Sequence, residues 1–355
     1  MIYEDYAIFT PGPVAMSAEV LAIGAKQTPY FRNQAFSEVT FACEAFMLKM
    51  LNAPKGSKVI FLTASGTAGM ESVVMNLLTT KDNALVVNGG GFGQRFVDIC
   101  AIHDIPHHDF KVDNSNLADI EQQAPKQDFS TLIVNAHETS VGHLYDLDAL
   151  GKFSKKHDLL HIVDAISMFV TDPIDMQAHH IDVVITSSQK GLGLPPGLSM
   201  VVLSPKALTK IHPVKSLYFN FKDYLRNGER GQSPYTPAVT IILQLQARLE
   251  QIERDGGIEK SIENAAQIAS YFREEIKGLP LKEFSKFMPN AMTTLMPLDG
   301  KSATDIVKDM EEHYNIMICP NGGALATKVF RVSHMGHMTK DYTDVLINAL
   351  KDYYR

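Results

Sequence analysis

Val183-Val184-Ile185-Thr186-Ser187-Ser188-Gln189-Lys190-Gly191 joins a short apolar run to a small polar turn that carries a lysine. A second apolar run, His161-Ile162-Val163, ends directly before Asp164. Short apolar runs bounded by turn residues predict buried strands of a parallel sheet. Ligands bind beyond the carboxyl ends of such strands. The sequence therefore places Lys190 and Asp164 at the edge of the sheet where a ligand would bind.

Short apolar runs alternate with longer helical patterns along most of the chain. This alternation is typical of βα units, and it predicts an α/β fold of three layers, with a mainly parallel central sheet covered by helices on both faces. Further on, apolar residues recur at helical spacing from Ile241 to Ile252 and stop at Asp255-Gly256-Gly257, which predicts an amphipathic helix with a glycine C-cap. We predict a large domain over residues 14–240 and a smaller α+β domain formed by 1–13 and 241–355. The predicted strands are 59–62, 84–87, 132–135, 161–163, 183–186 and 200–203.

The composition favours a protein that acts on small molecules. The chain has 355 residues and a net charge of -7, with Lys and Arg scattered, so nucleic acid and an anionic membrane are poor candidate partners. No stretch approaches the roughly 18 to 20 apolar residues of a membrane span. The N-terminus lacks the basic and apolar regions of a signal peptide, so we expect a cytoplasmic protein.

Cysteine and histidine show no pattern of a metal site. The cysteines, Cys43, Cys100 and Cys319, are far apart in the sequence and are expected to remain reduced. The pairs His107-His108 and His179-His180 have no Cys or acidic ligands at metal-binding spacing, and adjacent side chains on a strand point in opposite directions. We therefore predict neither a disulfide nor a metal site.

Lys190 and Asp164 carry the chemistry that we expect of the site. A lysine amine at the edge of a sheet can form a Schiff base with an aldehyde, and a carboxylate can keep the ring nitrogen of a pyridine cofactor protonated. Pyridoxal 5'-phosphate needs both groups, because its protonated ring acts as an electron sink. The two residues together suggest an enzyme that uses this cofactor.

Three other turns that follow predicted strands carry groups suited to such a cofactor. In Thr63-Ala64-Ser65-Gly66-Thr67-Ala68-Gly69-Met70-Glu71, backbone N–H groups and hydroxyls at a helix start suit a phosphate, and the alternative is an ordinary Ser or Thr N-cap.

The glycines of Asn88-Gly89-Gly90-Gly91-Phe92-Gly93-Gln94-Arg95 do not have the spacing of a dinucleotide-binding turn. We interpret Phe92 as a plate stacked on a flat cofactor ring, and the alternative is a core residue beneath a tight turn. His137-Glu138-Thr139-Ser140-Val141-Gly142 would hydrogen-bond a cofactor ring or substrate, or form a solvated loop.

A series of short motifs runs along nearly the whole chain. They are Pro11-Gly12-Pro13, Ser65-Gly66-Thr67 with Glu71, Asn88-Gly89 with Phe92-Gly93-Gln94-Arg95, His137-Glu138-Thr139-Ser140 with Gly142, Val163-Asp164-Ala165, Ser188-Gln189-Lys190 with Pro195-Pro196-Gly197, Tyr235-Thr236-Pro237, and Arg331-Val332-Ser333-His334-Met335-Gly336. Each motif is weak alone, but their order and spacing are specific. Together they resemble the class V, fold type I pyridoxal phosphate aminotransferases, close to the alanine-glyoxylate and 2-aminoethylphosphonate-pyruvate groups.

The resemblance implies a fold type I pyridoxal phosphate transferase and a role for each matching residue. Lys190 would form the Schiff base with pyridoxal 5'-phosphate, Asp164 would pair with the ring nitrogen, and Phe92 would stack on the ring. Lys190 would also act as the general base that moves the substrate proton. The other cofactor contacts that the resemblance implies are Thr139, the phosphate ligands Ser65, Gly66, Thr67 and Gln189, and Thr236 from the other subunit of a homodimer with shared active sites.

Two arginines are candidates for binding the substrate. Arg331 lies where the family keeps the arginine that grips the substrate carboxylate, and its planar fork suits a bidentate contact with carboxylate or phosphonate. The alternative for Arg331 is a surface arginine on a strand. Arg32, in Tyr30-Phe31-Arg32-Asn33, is either a second anion contact or a solvated side chain.

We weigh four functions against these motifs. The favoured one is an aminotransferase that moves an amino group from a small amino donor of the alanine or serine class to a keto-acid acceptor, glyoxylate or pyruvate. The alternative is a 2-aminoethylphosphonate-pyruvate transaminase. A cysteine desulfurase or other lyase is less favoured, because Cys319 is the one candidate nucleophile and is expected to be a buried residue at a strand end. A cofactor-binding module without enzymatic activity is the least favoured, because the motifs leave no room for an added interaction domain.

Overall fold

The computed structural model describes residues 6–113 and 115–355. Within these residues the strands are β1 (Ala7–Ile8), β2 (Lys58–Leu62), β3 (Ala84–Asn88), β4 (His107–Lys111), β5 (Thr131–Asn135), β6 (His137–Glu138), β7 (His143–Leu144), β8 (Leu160–Asp164), β9 (Val183–Ser187), β10 (Ser199–Leu203), β11 (Leu281–Glu283), β12 (Met292–Pro297), β13 (Ile316–Met317), β14 (Cys319–Pro320) and β15 (Phe330–Ser333). The α-helices are α1 (Ala18–Gly24), α2 (Gln34–Met50), α3 (Gly66–Leu77), α4 (Gly91–Ile102), α5 (Ile120–Gln123), α6 (Leu147–Lys156), α7 (Pro205–Lys210), α8 (Phe221–Gly228), α9 (Val239–Arg254), α10 (Gly257–Glu275), α11 (Ala303–Tyr314) and α12 (Lys340–Tyr353).

The central sheet of the described residues contains seven strands in the order β2-β10-β9-β8-β5-β3-β4. From β9 to β4 every neighbouring pair is parallel, whereas β10 runs antiparallel to both β2 and β9. Strands β3, β5, β8, β9 and β10 are buried along their whole length. Continuous apolar runs form such strands because a parallel sheet is covered on both faces. The predicted α/β fold with a mainly parallel sheet is confirmed.

The predicted strands correspond to β2, β3, β5, β8, β9 and β10, with bounds that differ by at most one residue. The sequence does not predict β4, since His107-His108-Asp109-Phe110-Lys111 lacks an apolar run. This strand pairs only with β3 among the described strands, and its first four residues are half-buried. A strand at the edge of a sheet tolerates polar residues, so the apolar pattern fails there.

Alternate residues of the central strands face two separate cores. On β3, Leu85 and Val87 pack into one core, and Ala84 and Val86 pack into the other. The first core includes side chains of α2, α6 and α9, and the second includes side chains of α3, α4 and α8. The sheet is therefore the middle layer of three.

The C-terminal part of the chain forms a smaller antiparallel sheet in the order β11-β12-β15-β14, with a core shared with α10, α11 and α12. The N-terminal segment joins this part, because Ala7 on β1 pairs with Ile316 on β13. Helix α9 ends at Arg254, and Gly256 after it has a φ of 112°, as the predicted glycine stop requires. Since α9 packs into a core of the large sheet, its position favours a domain boundary after the helix, and the division at residue 240 stays a prediction.

Strands β8 and β9 bring the two predicted catalytic residues to one edge of the sheet. They are parallel neighbours, and Asp164 at the end of β8 lies opposite Ile185 on β9. Lys190 follows β9 in the turn directly beyond that edge. Topology alone therefore places the lysine and the acid close together.

Two kinds of feature are missing from residues 6–113 and 115–355. No helix there is long and apolar enough to cross a membrane. No group of three or more His, Cys, Asp or Glu side chains there is arranged to hold a metal ion.

Candidate active site

A cleft of about 500 Å³ lies beyond the carboxyl ends of the central strands. Its lining contains both predicted catalytic residues, Lys190 and Asp164. It also contains six further residues predicted to bind the cofactor, namely Ser65, Gly66, Thr67, Phe92, Thr139 and Gln189. The rest of the lining is Met70, Arg95, His137, Ile166 and Ser167, of which His137 and Arg95 belong to the motifs named above.

The amine of Lys190 is held at the wall of the cleft by the N-terminal segment. Its Nζ donates a hydrogen bond to the backbone oxygen of Pro11. A Cβ on Gly12 would lie 3.0 Å from both Cδ and Cε of Lys190, so this close approach favours glycine at position 12. Burial and, to a smaller extent, the nearby charge of Arg331 lower the pKa of Lys190 to about 8, although the charge of Asp164 opposes the shift. A lysine in this state offers a neutral amine much closer to neutral pH than a solvated lysine does.

Asp164 is a buried carboxyl group at the end of β8, with 5% of its surface exposed. Burial raises its pKa to about 7, although the hydrogen bond that Oδ1 accepts from Ile166 N at 2.8 Å favours the charged form. The charge of Lys190 also favours the ionised carboxylate. A cationic ring nitrogen placed beside Asp164 would act in the same direction.

The start of helix α3 provides backbone N–H groups at one end of the cleft. Ser65 occupies the N-cap position with an extended backbone, but its side chain makes no capping hydrogen bond. Ser65 is thus the N-cap residue by position, while its hydroxyl is not used in a capping hydrogen bond and is left for a ligand. Thr67 accepts a hydrogen bond of 2.9 Å from Arg95, which adds a cation near the helix start. A helix N-terminus beside a guanidinium is a suitable place for a phosphate.

The ring of Phe92 lines the cleft and is half-buried. The guanidinium of Arg95 lies over this ring, with its Cζ 4.7 Å from the ring centroid. One face of Phe92 thus has a cation–π partner within its own helix α4. The half-buried ring in the lining of the cleft favours a ligand contact over the alternative of a core residue beneath a tight turn.

Glu138 is a fully buried carboxylate whose role the sequence does not reveal. Its Oε2 accepts hydrogen bonds from Gly93 N at 2.9 Å and from Asn135 Nδ2 at 3.0 Å, and its Oε1 accepts one from Ser140 N at 3.1 Å. Both oxygens also lie within 3.3 Å of Phe92 N. The two side-chain oxygens of Glu138 therefore cap the N-terminus of α4 and fix the turn that carries Phe92.

Arg331 lies next to the cleft, although it is not part of the lining. Its Nη1 donates to Thr139 O at 3.4 Å, and its Nη2 donates to Pro320 O at 2.7 Å. The Nη2 group also lies 3.0 Å from Cys319 Sγ. The Nε atom of Arg331 is buried and has no hydrogen-bond partner among the described residues. One N–H of the guanidinium is thus available to a ligand.

Cys319 differs from its expected state. It is the first residue of β14, and it is half-buried rather than buried. The exposure arises because β14 is the last strand of the small sheet and pairs only with β15 among the described strands. The thiol contacts the guanidinium of Arg331 instead of packing in a core.

The structure does not bring Thr236 or Arg32 into the cleft of this chain. Thr236 is exposed, and two residues later Ala238 N donates to Thr63 Oγ1 at 2.9 Å. Arg32 is also exposed, and its Nη2 donates to Pro234 O at 3.3 Å while the guanidinium lies over the ring of Phe31.

Several buried polar atoms in and around the cleft have no partner among the described residues. They are Gln189 Oε1, Ser187 Oγ, His137 Nε2 and Asn135 Oδ1. Buried polar groups are normally hydrogen-bonded, so a cluster of unpartnered atoms points to a polar ligand. Together with the lysine, the buried acid and the free helix start, these atoms fit a phosphorylated pyridine aldehyde.

Comparison with known proteins gives matches along most of the chain. The family described as Aminotransferase class-V matches residues 23–344. The serine–glyoxylate aminotransferase of Arabidopsis thaliana is 27% identical over 352 residues, which cover 94% of this chain and 86% of that protein. The alanine–glyoxylate aminotransferase of Felis catus is 28% identical over 359 residues, covering 96% of this chain and 86% of that protein. The crystal structure of an aspartate aminotransferase of subgroup IV from Thermus thermophilus has a TM-score of 0.87 and 25% identity, covering 97% of this chain and 99% of that chain.

Proposed function

Because this chain belongs to the class V aminotransferase family and is a transaminase that depends on pyridoxal 5'-phosphate, we propose that it transfers an amino group from a small donor of the alanine or serine class to glyoxylate or pyruvate. The family match confirms the resemblance inferred from the motifs and the expected cofactor. The observation that carries the proposal is the arrangement of Lys190 and Asp164 in one cleft with Arg331 beside it. The relatives named above support the donor class and glyoxylate as the acceptor, since their names contain serine, alanine and glyoxylate.

Two residues of the cleft handle protons in this proposal. Bound pyridoxal 5'-phosphate supplies an aldehyde that reacts with amines and a ring that withdraws electrons. Lys190 would provide the amine that holds the cofactor, and its free amine would serve as the base that moves the donor's α-proton. Its lowered pKa of about 8 suits a group that must accept and release a proton. Asp164 holds a proton on the ring nitrogen through its carboxylate.

The remaining residues of the cleft bind and orient the cofactor. The N–H groups at the start of α3 and the side chain of Gln189, whose Oε1 has no partner among the described residues, lie in the lining where we place the phosphate end. Phe92 and Ile166 supply apolar surfaces for the flat ring. Thr139 also lines the cleft and would contact the bound cofactor, and its hydroxyl donates to Ser167 Oγ at 2.8 Å.

The first experiment on this function follows the absorbance spectrum of the purified protein with bound pyridoxal phosphate while amino donors are added. We expect alanine or serine to convert the cofactor rapidly to its aminated form, and glyoxylate or pyruvate to reverse the change. Conversion by 2-aminoethylphosphonate alone would replace the proposed donor by the phosphonate. A protein that binds no pyridoxal phosphate would refute the roles of Lys190 and Asp164.

Arg331 is proposed to bind the carboxylate that donor and acceptor share. Replacing it by Lys keeps the positive charge but removes the planar fork, so we expect KM for both substrates to rise and kcat/KM to fall roughly 10- to 100-fold. Steady-state kinetics with each substrate varied in turn measure this. The matched control is Arg226→Lys, because Arg226 is an exposed residue of α8 paired with Asp223. An unchanged KM for both substrates in R331K would remove Arg331 from the site.

The proposed homodimer has shared active sites, with Thr236 reaching the cofactor of the partner subunit. The exposure of Thr236 outside the cleft of its own chain supports this arrangement. We expect sedimentation to give a dimer, and a fully active monomer would contradict the shared site. The cytoplasmic location stays a prediction.

A further inference from the structure

His137 lies in the lining of the cleft and is 3% exposed. Its Nδ1 lies 3.0 Å from the backbone oxygen of Ser167. A carbonyl oxygen only accepts hydrogen bonds, so Nδ1 must carry the hydrogen in this contact. In the neutral ring that this tautomer defines, Nε2 has a lone pair and is an acceptor.

The Nε2 atom is buried and has no hydrogen-bond partner among the described residues. Leaving a buried acceptor unpaired is unfavourable by roughly 1 to 3 kcal/mol, and native structures rarely do so without a ligand or an ordered water. His137 differs in this respect from His143, whose two ring nitrogens lie 3.1 Å from Ser285 Oγ and 3.0 Å from Ser115 O. Of the two buried histidines of the β6–β7 hairpin, only His137 therefore has a ring nitrogen without a hydrogen-bond partner among the described residues.

The surroundings of His137 keep it neutral. Burial, with smaller contributions from the charges of Lys190, His143 and Arg331, lowers its pKa to about 3, although the hydrogen bond to Ser167 O opposes this shift. At neutral pH the ring therefore remains an acceptor at Nε2. It lines the same cleft as Lys190, and the charges of Lys190 and Arg331 both act on it.

We propose that Nε2 of His137 accepts a hydrogen bond from a hydroxyl group of a bound ligand. Two hydroxyl groups suit this position: the ring hydroxyl of pyridoxal phosphate, and the side-chain hydroxyl of an amino donor of the serine class. The cofactor's phosphate and aldehyde offer no hydrogen to His137, and its ring nitrogen is assigned to Asp164. The second source rests on the proposed function, whereas the first requires only the cofactor.

A pair of variants separates the two nitrogens of the imidazole. In His137→Asn, the N–H group of the shorter side chain lies near the former Nδ1 and can still donate to Ser167 O. No acceptor remains at the position of Nε2. In His137→Gln, the longer amide places an oxygen near the former Nε2 and gives up the bond to Ser167 O. Both variants fill the same buried site with a neutral polar side chain, so damage to folding affects them alike.

Two measurements on the holoenzyme distinguish the sources. If the amino donor supplies the hydroxyl, we expect the ratio of the apparent affinities for serine and alanine to fall about tenfold in H137N and to be largely restored in H137Q. If the cofactor supplies it, the pH at which the absorbance of the bound cofactor changes, without any substrate, is expected to fall by about one unit in H137N and to recover in H137Q. This pH is expected to fall because Nε2 of His137 stabilises the protonated form of the cofactor's hydroxyl, and H137N lacks that acceptor.

An unchanged serine-to-alanine ratio together with an unchanged absorbance titration in H137N would overturn the proposal, because Nε2 would then serve only an ordered water. Equal effects of H137N and H137Q would overturn it as well, since they would report the contact with Ser167 or a loss of packing. If wild-type protein converts neither donor but H137N shifts the absorbance titration, the proposed function fails while this role of His137 stands.

Discussion

Replacing Lys190 by Ala is expected to reduce turnover by at least about 10⁴-fold, because one side chain provides both the amine that holds the cofactor and the base that moves the donor's proton. The geometry supports both duties. Lys190 is held by Pro11 O at the wall of the cleft, and burial lowers its pKa to about 8. Alanine supplies neither an amine nor a base.

Three measurements on K190A check this expectation. Steady-state transamination should be lost, the absorbance of the lysine-linked cofactor should be absent, and dialysis should remove pyridoxal phosphate much more easily than from wild type. Adding methylamine should restore part of the proton transfer, because a free amine can enter the space left by the side chain. Lys222→Ala, at an exposed position of α8, is the matched control. Turnover in K190A near that of the control would refute the assignment of Lys190.

The strands of the central sheet and the residues that follow them could be predicted from the sequence because their signals are local. Each predicted apolar run forms a strand of the sheet, and Asp164 and Lys190 lie where the strand ends place them. The polar edge strand β4 gives no such signal, since its side chains are only half-buried. Local patterns therefore reveal the strands with apolar runs, including β2 at the opposite edge, but not the polar edge strand β4.

The contacts that complete the site could not be predicted, because they join distant parts of the chain. Glu138 receives hydrogen bonds from backbone N–H groups 45 and 46 residues earlier, and the motif shows only a polar turn. Likewise, nothing in the sequence indicates that His137 Nε2 is left without a partner. The thiol of Cys319 meets Arg331 only because β14 and β15 pair.

Replacing Asp164 by Asn is the second change with a large expected effect. Asparagine has nearly the same shape, and its Oδ1 can still accept the hydrogen bond from Ile166 N. It carries no negative charge, so it does not stabilise a proton on the ring nitrogen, and the cofactor loses most of its power to withdraw electrons. We expect kcat to fall roughly 10²- to 10⁴-fold, while bound pyridoxal phosphate remains detectable by its absorbance. Near-normal kcat in D164N would show that the acid does not serve the ring.

D164N lowers kcat, but it should increase the stability of the protein without cofactor. The pKa of Asp164 in the folded protein is about 7, above the ordinary value of 3.8, so the unfolded chain ionises this group more readily than the folded one does. The resulting loss of stability is absent below about pH 4, grows as the pH rises towards 7, and is complete above it.

D164N removes this loss, so at pH 8 its free energy of unfolding should exceed that of wild type by up to roughly 4 kcal/mol. At pH 4 the two proteins should be nearly equal. Urea unfolding of the cofactor-free proteins at both pH values measures the difference, and comparing the variant with wild type cancels the similar contribution of Asp172, whose pKa burial raises to about 6. A variant that is less stable than wild type at pH 8 would mean that the charge of Asp164 serves the fold itself. A gain in stability together with the loss of kcat would instead indicate that the buried charge is kept for the cofactor.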